Sequence, residues 1–99
     1  MIEVYRGVDQ ITVIGHAPRP DGTKPGENIV CAAVSALTLT LVIGLEEVAD
    51  MRLTGRVVEE GRVLIKWKAA TPIGKALIRT WYLGITRIRD NYPDTITII

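Results

Sequence analysis

The chain has 99 residues, with 12 Lys and Arg against 11 Asp and Glu, a net charge of +1, no Phe and 47% hydrophobic residues. That length makes one domain, residues 1–99, whose core must come from Ile, Val, Leu and Ala around Trp67 and Trp81. Near-neutral charge argues against direct binding to nucleic acid or an anionic membrane surface. A single cysteine excludes an internal disulfide framework and fits a reducing, cytoplasmic compartment.

The opening MIEVYRGVDQ carries an acid and no apolar run, so no secretory signal is expected there. IEVYR (2–6) and ITVIG (11–15) alternate and are rich in Ile and Val, which predicts a hairpin turning through Gly7–Gln10. His16 follows the second strand. APRPDGTKPG then carries three Pro and two Gly in ten residues and predicts a loop. Asn28 suits an N-cap, because its side-chain oxygen can accept from an early helical N–H.

The run IVCAAVSALTLTLVIGLEEVA is too long for a strand and apolar on nearly every face. Residues 29–45 carry no charge, but a membrane-spanning helix takes about 20 apolar residues. Ser35, Thr38, Thr40 and Gly44 interrupt this run, and Glu27 and Glu46 flank it. The expectation is therefore no membrane span but a central soluble helix packed on more than one side. MRLTGRVV and VLIKWK, joined by EEGR, predict a second hairpin.

A second helix follows in TPIGKALIRTWYLGITRIRDNY. Thr71 is its cap and Pro72 lies in the first turn, where a missing N–H is harmless. Ile73, Leu77, Trp81, Ile85 and Ile88 share a predicted apolar face, basic residues gather toward the end where they suit the dipole, and Pro93 closes the helix. TITII predicts a last strand. The order ββαββαβ gives an α+β fold: a mixed sheet with a long central helix and a second helix packed on it.

His16 and Cys31 are the only histidine and cysteine. With Asn28 as cap, Cys31 is the third helical residue. There the unpaired N–H groups and the macrodipole favour negative charge, hence the nucleophilic thiolate. The same turn, with Ala32 next in line, can support an oxyanion. His16 would act as base and then acid if it reached the sulfur. Ser35, one turn on, could hold Cys31 or the substrate backbone, and Gly26 would let the loop approach the substrate. A plainer reading stands beside this one: Cys is a common buried hydrophobe, and a lone His at a strand end is an ordinary surface or structural residue.

One His and one Cys are too few for a zinc site, so no metal or cofactor is expected. GTKPGE lacks the ending of a phosphate loop. Glu46–Glu47 and Glu59–Glu60 are read as a helix end and a turn, both solvated.

The blocks Gly15-His16-Ala17 and Ile29-Val30-Cys31-Ala32-Ala33-Val34-Ser35-Ala36-Leu37 resemble the ribosomal-processing cysteine proteases called Prp, from Firmicutes and their relatives. The resemblance covers the whole chain in length and element order. It implies a catalytic pair of His16 and Cys31. It implies as substrate the precursor of large-subunit ribosomal protein L-twenty-seven, whose short N-terminal extension is removed after two aromatic residues. It also implies a small cytoplasmic homodimer. Two features depart from the family pattern: Asn28 stands where the family usually has Asp, and the loop between the two blocks is longer. Two rivals share the same cleft: a non-catalytic ribosome-assembly module binding an extended peptide by strand addition, and a related protease with a different protein substrate.

Overall fold

A computed structural model describes residues 1–15 and 29–99 of the chain. Five strands and two helices run in the order β1 (Ile2–Arg6), β2 (Gln10–Ile14), α1 (Ile29–Glu47), β3 (Leu53–Glu59), β4 (Arg62–Trp67), α2 (Pro72–Asn91) and β5 (Ile96–Ile98). This is the predicted α+β order, with small differences at the strand ends. Glu59 and Arg62 belong to their strands, leaving Glu60 and Gly61 as the turn. Met51 precedes β3 and is buried.

The sheet order is β3-β4-β2-β1-β5. Both hairpins are antiparallel, β2 pairs antiparallel with β4, and β5 lies parallel to β1. Alternation gives the sheet one apolar face. Ile2, Val4, Ile11, Val13, Val63, Ile65, Trp67 and Ile96 are buried there in one cluster with the buried residues of both helices. In the first hairpin, Glu3 pairs with Ile14 and Tyr5 with Thr12 on the opposite, more exposed face.

Helix α1 is long and apolar enough to cross a membrane by length and composition alone. It buries Val30, Val34, Thr38, Leu41, Val42 and Leu45. It packs on two sides, against the sheet and against α2, as the sequence predicts, but part of its surface stays open. Ile29, Leu39 and Ile43 are exposed, Ile43 by 54%. The sheet and α2 together cover only part of the helix and leave these side chains exposed.

Helix α2 begins as predicted. Thr71 Oγ1 accepts from the Gly74 N–H at 3.1 Å and donates to the Ala49 carbonyl at 2.9 Å, so the cap also fixes the chain after α1. Its buried stripe is Gly74, Ile78, Trp81 and Ile85. Ile73, expected inside, is 53% exposed, while Leu77 and Ile88 are only partly buried. The reason is Gly74. A Cβ there would collide with the Met51 thioether, so the absence of a side chain lets α2 close on Met51. In these first turns the inward positions are Gly74 and Ile78 instead of Ile73 and Leu77, while Trp81 and Ile85 face inward as predicted.

Candidate active site

The site is built where α1 begins, above the end of the sheet. Cys31 is the third residue of α1 and is partly buried. It opens on a cleft of about 500 Å³. One wall is α1, from Cys31, Ala32 and Ser35 to Thr38 and Leu39. The floor is the inner sheet face, where Val13 pairs with Val63 and Val63 with Val58 in one row across three strands. The end of the β3–β4 hairpin, Glu59 to Arg62, closes one end. The cleft is therefore apolar below and polar at its rim, the usual form of a site that takes a side chain and fixes it by a few polar groups.

Gly15 is also part of the cleft lining. It has a φ of +99°, and a Cβ would lie 2.6 Å from the Met1 carbonyl oxygen, so only glycine fits without strain. Its N–H donates to the Gly61 carbonyl at 2.8 Å. That bond ties the end of β2 to the β3–β4 turn and fixes where the chain leaves the sheet.

Of the sequence-predicted site residues, the structure brings Cys31, Ala32 and Ser35 to one wall of this cleft. His16, Gly26 and Asn28 lie outside the described residues. The contribution of the second hairpin was not read from the sequence. Glu59 and Glu60 are exposed, as expected of a turn, but they also line the cleft. Turn chemistry located the turn, but only the pairing of β4 with β2 brings it beside α1.

Residues 1–97 match the family model of cysteine protease Prp. The chain belongs to that family. This Prp-family protein is thereby a cysteine peptidase. No curated protein sequence matches it. Among solved structures, it resembles the Staphylococcus aureus essential ribosomal processing protease Prp with a covalently linked product peptide. That similarity has a TM-score of 0.79 at 16% identity, covering 98% of this chain and 94% of the other. The same S. aureus protease with a substrate peptide gives 0.78 at 17% identity, over 99% and 95% of the two chains. A Streptococcus mutans protein gives 0.72 at 28% identity, over 98% and 92%. These likenesses establish the shared fold of this Prp-family peptidase.

Proposed function

We propose that the protein is an endopeptidase that matures a ribosomal protein, removing the N-terminal extension of the precursor of L-twenty-seven after an aromatic pair. In this reading Cys31 is the nucleophile. Its Sγ attacks the scissile carbonyl carbon while His16 takes the thiol proton. The carbon–nitrogen bond then breaks, and His16 returns the proton to the leaving amine. Water, activated by the same His16, hydrolyses the acyl-enzyme. The amino-terminal turn of α1, with Ala32 on the cleft wall, supplies partial positive charge for the oxyanion.

The observation that carries this reading is the position of Cys31, in the first turn of a long helix and on the wall of an apolar cleft. Gly15 supports the role of His16, because the residue immediately before it lines the same cleft. The valine row of the floor suits an aromatic side chain. The ribosomal substrate comes from the S. aureus relatives, described as ribosomal processing proteases with substrate or product peptide. The homodimer and the cytoplasmic location belong to the same proposal. Exposed Ile29 and Ile43 give a second copy apolar surface to cover.

The test is direct. The purified protein is incubated with the host's ribosomal protein bearing its extension, and the product is weighed by mass spectrometry. Loss of the extension at one bond after two aromatics supports the reading. An intact precursor, with cleavage of another protein by the same thiol, would move the substrate assignment to a different protein.

A further inference from the structure

Two carboxylates stand at the closed end of the cleft in different situations. Glu59 pairs with Arg62 at 3.7 Å. Glu60 has no ion-pair partner among the described residues. Among the described residues, the three charged side chains at this hairpin end, Glu59, Glu60 and Arg62, therefore leave one negative charge without an ion pair, at Glu60. The backbone that carries Glu60 is anchored. The Gly61 carbonyl next to it accepts the Gly15 N–H at 2.8 Å, which anchors the turn to β2. Glu60 lines the same cleft as Cys31, over a floor of Val13, Val58 and Val63. Apolar walls of low dielectric focus such a field into the cleft.

We infer that Glu60 determines specificity: it favours a Lys or Arg in the substrate close to the scissile bond and disfavours an acid there. The inference rests on the reading of Cys31 as nucleophile. A peptide whose apolar side chain occupies the valine floor beside Cys31 carries its neighbouring residues past this turn. Glu59 adds little to the selection because Arg62 already answers its charge. Glu60 remains solvent-exposed, so the selection is modest and screened by salt.

The experiment uses internally quenched peptides of one sequence, each with the same aromatic pair. A single Lys, Gln or Glu is scanned through the three positions on either side of that pair. The full-length protein and its Glu60→Lys and Glu60→Gln variants are compared by kcat/KM. At one scanned position the wild type should prefer Lys over Gln by about threefold, and Lys over Glu by about tenfold. Glu60→Gln should bring the Lys-to-Glu ratio near one, and Glu60→Lys should invert it. The inference is overturned by a wild type indifferent to charge at every position, or by a preference that survives in Glu60→Lys. Failure of the wild type to cleave any of these peptides overturns it too, together with the proposed aromatic-pair substrate. Cleavage without charge preference removes this inference alone.

Discussion

The indole Nε1 of Trp81 donates a hydrogen bond to Oγ1 of Thr38 at 3.1 Å, inside a core where the two residues are 3% and 1% exposed. Thr38 belongs to α1 and lines the cleft, while Trp81 belongs to α2. One buried polar contact thus joins the second helix to the wall that carries Cys31.

Thr38→Val keeps the shape of the side chain and removes the acceptor. The buried indole N–H is left without its partner, which costs about 1–3 kcal/mol. Urea denaturation should show that loss, with the slope unchanged. Thr38→Ser retains the hydroxyl and should lose less. A larger loss in Thr38→Ser than in Thr38→Val would mean that methyl packing, rather than the hydrogen bond, is the main contribution.

Gly15→Ala should destabilise the fold and reduce cleavage together. It places a side chain at positive φ and against the Met1 carbonyl, a strain of about 1–3 kcal/mol. Relief of that strain moves the exit of β2, the chain entering His16. Thermal unfolding and turnover measured on the same preparation should fall together. A variant with wild-type melting and turnover would show that this backbone position carries no strain.

Cys31→Ala should lose cleavage by about four orders of magnitude or more while staying folded, because it removes one partly buried sulfur. His16→Ala should lose about 100- to 10,000-fold. Peptide cleavage beside circular dichroism checks both. A Cys31→Ala protein that cleaves at the wild-type rate would rule out the thiol mechanism, and a fully active His16→Ala protein would remove His16 from it.

The protein should sediment as a homodimer at micromolar concentration. Substituting Ile43, exposed on the uncovered flank of α1, by Glu should weaken the association without unfolding the chain. A monomer mass for the wild type contradicts the proposed dimer.

The elements themselves were legible because their signals are local. Alternation marked the strands, Pro and Gly marked the turns, and Thr71 with Pro72 marked the start of α2. The third helical position of Cys31 followed from reading Asn28 as the cap, and the structure starts α1 at Ile29. Trp81 and Ile85 face inward as predicted, but the first turns of α2 were misread by one residue because glycine carries no apolar signal in a sequence. Only the contact with Met51 shows that Gly74 faces inward.

The cleft was a different matter. Sequence alone determined that Cys31 lies at a helix start, that His16 follows a strand, and that Glu59–Glu60 mark a turn. It did not determine that β4 pairs with β2, or that β5 adds parallel to β1. Those pairings join segments far apart in the chain, and every strand offers similar apolar residues and the same backbone hydrogen bonds. The choice among them is made by which arrangement buries one continuous face under the two helices. That choice places Val58, Val63 and Glu60 beside Cys31. The nucleophile candidate was therefore readable from its neighbours in sequence, whereas the walls that would select its substrate were decided by tertiary packing.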